Sequence, residues 1–485
     1  MQLTPRQNEL LAVYLLGIGT LFMYLGYIIQ GFLAESVIHT VSMRYPDVIS
    51  PFAGYYGQAF HYSAFAISSL ITPSVQNFIP SKWILTIASI LFAVYYLGFF
   101  HVNGIYFYLS QGLMGVRIFI IQSKFHYYTY KESALYNNGE GAYLSEHSSR
   151  RTLESNTAIE TAVGHSSMFV GGVALMIIFY FISSETSDND VNLTYTDLHI
   201  QLIYGIFFIL NLISVIIFAA LPTKQHDSIA SKSPTIVPTL KQQLNQFKTT
   251  IINVNMILLA PFFSYMGLIT SFIVGVYPTT LSFTSTISSD IYIIAIYSMS
   301  MGAAEIFGSL DFQSFNSVLG GFVLRPLIKK SKDWGLILSI SIHFVAISTM
   351  LSVVEFSVPE NATIEPTATT ALLIKPSRLV VVIIGFLCGI GDFTITMCRT
   401  VICQVALPDA RMHVFSISRF YQCIASCNVL FLTRFMRVTY WTTVLAVGLT
   451  VSTITFGIVA RRTAHHRKNI VLPVSNGKLS TVELV

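Results

Sequence analysis

The sequence predicts an all-α membrane protein in which twelve transmembrane helices form two six-helix bundles. Three observations predict it. Of the 485 residues, 53% are hydrophobic and 11% charged, with a mean hydropathy of +0.63; a soluble chain carries about a quarter charged residues. Apolar stretches of roughly 20 residues, the length a helix needs to cross the hydrocarbon core, recur from end to end. Finally, if residue 1 starts in the cytoplasm and each stretch crosses once, the 28 Lys and Arg fall on the cytoplasmic side with few exceptions. Those exceptions are Arg44, Lys375, Arg378, Arg434 and Arg437 outside, and Arg419 within a span. The sequons Asn192-Leu193-Thr194 and Asn361-Ala362-Thr363 then land in lumenal loops. Hydropathy, the positive-inside bias and the side on which glycans attach agree on one topology. Glycosidase-sensitive mass is expected to vanish when Asn192 and Asn361 are both changed to Gln, and a glycan on the central cytoplasmic connection would overturn the topology.

The spans read as 9–33, 55–78, 83–102, 104–122, 158–183 and 199–221 in the first half. Those of the second half read as 252–275, 291–309, 334–354, 379–398, 413–432 and 440–460. Arg6 is followed by an apolar run too long for the core of a cleavable signal, so the first span is expected to act as a signal anchor. Residues 222–250, rich in Pro, Lys, Ser and Thr, form the longest cytoplasmic connection and divide residues 1–221 from 251–460. Arg461, Arg462, Arg467 and Lys468 follow the last span and hold the 461–485 tail inside. Two segments break the pattern. Removing 117–133 would join NGIYFYLSQGLMGV to ALYNNGEGAYLSEHS as one coherent span, and the eighth span runs on through LDFQSFNS at 310–317. Both are expected to be insertions at cytoplasmic helix ends, irregular or extending the helices outward.

A charge at the bilayer centre is costly, so an ionisable residue within a span is a functional candidate. The candidates are Glu35, His61, Glu140, Glu160, His165, Glu305, Asp392 and Arg419. Glu35, Glu140, Glu160 and Arg399 lie near predicted span ends and are expected to face water or headgroups. His61 also reads as a core histidine bonded to a hydroxyl such as Ser63. Glu305 lies among the small residues of GAAEIFG, which permit close helix contact. A structural ion pair, such as Asp392 with Arg419, is at least as good a reading as a transport pathway. Cys388, Cys398, Cys403, Cys423 and Cys427 all fall in or beside two late spans, so no disulfide framework is expected. Cys423 and Cys427 share a helix face, but no His joins them at ligand spacing, and neither metal nor other cofactor is implied.

Two six-span halves joined by a basic cytoplasmic linker is the layout of the major facilitator superfamily, whose substrate sites lie between the halves. Within it, GYYGQAFHYSAFAISSLITPSV (54–75), NNGEGAYLSEHS (137–148), GAAEIFG (302–308) and GIGD (389–392) resemble signatures of the uncoordinated-93-like family. The resemblance covers most of the chain in order and spacing. One departure is that GDFTITMCRT stands where an Asn-Thr-Gln is expected after the Gly-Asp of the tenth span.

The resemblance implies a major-facilitator fold shared by a potassium-channel regulatory subunit, an escort of innate immune receptors and uncharacterised solute carriers. It slightly favours a regulatory or accessory protein whose partner is a potassium channel or receptor subunit. The alternative is a secondary transporter, proton-coupled through Glu305 or Asp392 with Arg419 holding an anionic group. Either would act at the plasma membrane or an endolysosomal membrane. An enzyme is excluded, because there is no Walker loop, nucleophile elbow or soluble domain to house a site. Nucleic acid is not an expected partner: the basic stretches at 325–332 and 461–468 serve as stop-transfer charge.

Overall fold

The computed structural model describes residues 4–75, 80–122, 143–144, 146–148, 152–185, 195–223, 240–313, 332–368, 373–407 and 410–471. Glu140 and Asn192, residues 123–133 and 314–317 of the two predicted insertions, and residues 224–239 of the central connection lie outside them.

In the first half the helices are α1 (Pro5–Arg44), α2 (Ala53–Val75), α3 (Ser81–Leu97), α4 (Gly104–Gln122), α5 (Leu153–Glu185) and α6 (Asp197–Ala220). A helix within the central connection, α7 (Leu240–Ile252), leads into the second half. There follow α8 (Val254–Phe283), α9 (Ile293–Gln313), α10 (Lys332–Ser357), α11 (Arg378–Val405), α12 (Arg411–Leu432) and α13 (Val438–Val471). Among the described residues there is no sheet, only an isolated bridge between Thr284 and Thr367. Local chemistry sets several helix starts. Thr4 and Gln7 form a reciprocal capping box ahead of Pro5, and Thr196, Asn253 and Ser377 cap α6, α8 and α11.

Among the described residues, seven helices (α1, α3, α6, α8, α10, α11 and α13) are long and apolar enough to cross a membrane by length and composition. The other five long helices carry buried polar residues on their packed faces. Examples are Gln58 and Ser69 on α2, Ser110 and Gln111 on α4, Asn156 on α5, Ser298 on α9, and Gln422 and Ser426 on α12. Those polar faces bury hydrogen-bonding groups inside the bundle, where unpaired groups are costly.

The two halves repeat one packing scheme. In the first, α1 packs on α5 and α6, α2 on α4, and α3 on α4 and α6. In the second, α8 packs on α12 and α13, α9 on α11, and α10 on α11 and α13. The pairs that join the halves are also equivalent, α2 with α12 and α5 with α9. Glycines make these approaches possible. A Cβ on Gly302 would strike the backbone of Phe169 on α5, and one on Gly172 would lie 2.9 Å from the Ala295 carbonyl and Met299 amide of α9. Ser298 Oγ donates to the Met168 carbonyl at 2.8 Å across the same seam.

The predicted span ends fall short at several sites, three of which bear on candidate residues. α1 runs to Arg44 instead of residue 33, α11 to Val405 instead of 398, and α5 begins at Leu153 instead of 158. Glu35, Glu160 and Arg399 therefore lie within packed helices, 1%, 3% and 4% exposed, and do not face water or headgroups as expected. At the insertions, α4 continues through residue 122 and α9 through 313, so the described parts extend helices.

Candidate functional site

The end of the molecule that the charge pattern assigns to the lumen is sealed by contacts between the halves. α8 has a π-helical turn at Phe272–Val276, and α1 meets this turn and the residues after it, Tyr277–Phe283. Close approach is possible because a Cβ on Gly31 would lie 2.8 Å from Val274, and one on Gly275 would lie 2.8 Å from Gln58 Oε1. A π turn offsets the backbone by one residue and often marks a functional segment. Above it, Tyr55 Oη donates to the Thr363 carbonyl at 3.0 Å. His39 packs edge-on against Phe283, and Arg434 Nη1 donates to Tyr56 Oη at 3.5 Å. The loop carrying Thr363 is pinned to the second half, since Thr363 Oγ1 donates to the Met436 carbonyl and the Val438 amide to the Glu360 carbonyl. Asn361 stands half-buried in this loop. Glu35 lies just inside the seal and accepts from the Tyr55 amide at 2.7 Å.

Deeper, the α2–α12 seam continues through a Ser63–Cys427 hydrogen bond of 2.9 Å to a cluster of Phe65, Ala66 and Cys423, with Tyr62 and Phe420 packed against it. Among the described residues, α1 makes no contact with α8 over Val254–Ser271, nor α4 with α11, comparable to that over the lumenal segment, while α7 touches both α2 and α12 towards the cytoplasm. The contacts of α1 with α8 are thus concentrated, among the described residues, at the lumenal end.

Charge lies further along this seam, on a buried Arg399 and a half-buried Asp392 and Arg419. Asp392 and Arg399 are seven residues apart on α11, hence on one helical face. Arg419 follows on α12, eight residues from its start. Arg399 Nη1 and Arg419 Nη1 both donate to one acceptor, Gln422 Oε1, at 3.4 Å and 3.0 Å. Both Nε atoms are buried without a hydrogen-bond partner. The charge of Asp392 reaches Arg399, as does the opposing charge of Arg419. Other charges pair nearer the ends of the molecule, in Arg6–Glu9, Arg44–Asp197, Arg378–Asp290 and Arg437–Glu360. Across the seam, Tyr27 Oη and His61 Nε2 share a hydrogen bond of 3.3 Å, and His61 meets Tyr62 edge-on; Ser63, expected beside His61, bonds Cys427. Glu305 is buried on α9, nearly one turn beyond the Gly302 contact.

Arg419, Asp392 and His61 stand out in the sequence, whereas Gln422 does not and Arg399 looks like a helix end. The i,i+3 spacing of Arg419 and Gln422 and the i,i+7 spacing of Asp392 and Arg399 were the available signals.

Comparison with solved structures places this arrangement among the major facilitators. A nucleoside transporter, NupG, superposes with a TM-score of 0.54 at 13% identity, over 94% of this chain and 99% of that one. A mutant of the peptide transporter POT in complex with alafosfalin gives 0.59 at 10% identity, over 96% and 99%. At these identities the likeness establishes the fold: a multi-pass, twelve-helix major-facilitator arrangement. In sequence, the UNC93-like protein MFSD11 of Xenopus laevis is 23% identical over 477 residues, covering 94% of this chain and 97% of the relative. Its counterpart in Xenopus tropicalis matches to the same extent. The family model described as "Ion channel regulatory protein UNC-93" matches residues 45–457, and the chain therefore belongs to the UNC-93 family.

Proposed function

We propose that this chain is a secondary carrier that moves a small solute by opening its two halves alternately to the cytoplasm and to the lumen. The observation that carries the proposal is the seam between the halves, sealed at its lumenal end through α1, the π turn of α8 and the Tyr55–Thr363 bond, with charged side chains further along it. On this reading the halves are residues 1–221 and 251–460, and Asp392 and Glu305 are the carboxylates that couple movement to a proton gradient. The membrane is the plasma membrane or an endolysosomal one, and Asn192 and Asn361 carry glycans. Solved transporters of the same fold support the reading, at the level of fold.

The description of the family as ion channel regulatory favours a second reading, an accessory subunit of a potassium channel or receptor. One experiment separates them. Purified protein in proteoliposomes is assayed for uptake of labelled solutes, and membranes are affinity-purified in parallel. Saturable, gradient-driven uptake reduced by Asp392→Asn is the expected result. Co-purification of a channel or receptor subunit whose current or trafficking depends on this chain, with no uptake, would refute the carrier.

A further inference from the structure

We infer that Arg399, Arg419 and Gln422 form a binding site for a small organic oxyanion, a carboxylate or a phosphate, along the seam. The inference rests on the carrier reading for its physiological role, but the site stands on its own geometry. Two guanidinium groups converge on a single neutral amide oxygen, Gln422 Oε1, at 3.4 Å and 3.0 Å. Arg399 is 4% exposed, and the Nε atoms of both arginines are buried and unpartnered. An amide oxygen neutralises no charge and has two lone pairs, whereas two guanidinium groups present ten N–H donors. Asp392, on the Arg399 face of α11, offsets at most one of the two positive charges. A buried charge left uncompensated is among the costliest features a fold can hold.

Like charges brought together, with donors left over, favour an anion that accepts from both. The donor set favours a planar or tetrahedral oxyanion over a halide, because each guanidinium offers a fork that matches two oxygens at once. Tyr62 and Phe420, the latter next to Arg419 in the chain, pack on the same α2–α12 cluster and would meet the apolar part of a small ligand. Gln422 then acts as the spacer that holds the two forks when the site is empty.

The test uses the full chain purified in neutral detergent, with thermal unfolding followed by tryptophan fluorescence. Succinate, benzoate and inorganic phosphate are titrated against chloride at matched ionic strength. A saturable rise in Tm with at least one oxyanion is expected. Apparent affinity should then fall about ten- to a hundredfold in Arg419→Gln and Arg399→Gln, the loss of one set of charge-assisted hydrogen bonds. Arg419→Lys guards against simple misfolding: it keeps the cation but loses the fork, and intermediate affinity is expected. Wild-type protein indifferent to all three anions, with Arg419→Gln equally or more stable, would overturn the site. So would equal stabilisation of wild type and variants, which places the anion elsewhere. Stabilisation by phosphatidylglycerol-doped micelles but by none of the free anions would assign the arginines to a lipid headgroup and overturn the solute site. Binding that depends on the arginines without uptake would leave the site standing and remove the carrier. Uptake indifferent to both arginines would do the reverse.

Discussion

Gly267→Leu is expected to leave no monodisperse protein in gel filtration. Gly267 lies where α8 crosses α12, and a Cβ there would be driven into the Gln422 carbonyl oxygen and against the Ser426 amide. The obstacle is main chain, which cannot rotate away as a side chain can. The helices must part, and Ser426 Oγ loses the Gly267 carbonyl that it now donates to at 3.0 Å. Overpacking a tight core costs about 1–3 kcal/mol and more where nothing can yield, and a leucine adds volume beyond the first carbon. The same separation would displace Gln422 from between the two arginines. Gly457→Ala is the control. It lies in α13 of the same half, a Cβ there meets nothing within 4 Å, and an added methyl in a helix is expected to be neutral or to stabilise by roughly 0.5–1 kcal/mol. Comparable melting temperatures for Gly267→Leu and wild type would show that the α8–α12 contact is not as close as described.

The overall architecture is legible in the sequence because its determinants are additive along the chain. Span length, cationic loops and the polar connection at 222–250 each act locally, and together they yield twelve helices in two groups of six. The internal repeat is not legible. It resides in which helices touch, α1–α5 matching α8–α12 and α2–α4 matching α9–α11, and contact partners leave no periodic mark on a single sequence. Helix ends are also poorly legible, because hydropathy falls away where polar residues begin whether or not the helix continues. That is why Glu35 and Arg399 look terminal in sequence, yet the helices carry them into the packed interior. Gln422 escapes notice for a different reason: an amide within a span signals nothing until two cations are found to share it.

Locking the lumenal seal is expected to stop transport altogether. Gly31 on α1 and Val274 in the π turn of α8 approach so closely that a Cβ on Gly31 would lie 2.8 Å from the valine side chain, within reach of a disulfide once both are cysteine. The crosslink would tie the first half to the second at the end that must open to the lumen, while the arginine pair lies deeper and towards the cytoplasm. Binding of an oxyanion from the cytoplasmic side should survive the lock; passage should not. The five native cysteines lie in α11 and α12, four of them buried, so they are poorly placed to divert the new pair. The decisive measurement is solute flux in proteoliposomes by Gly31→Cys/Val274→Cys protein, before oxidation, after oxidation and after reduction. Alternation of the halves requires flux to disappear on oxidation and return on reduction, with the arginine-dependent Tm response retained throughout. Flux that persists at the wild-type rate in fully crosslinked protein would contradict it.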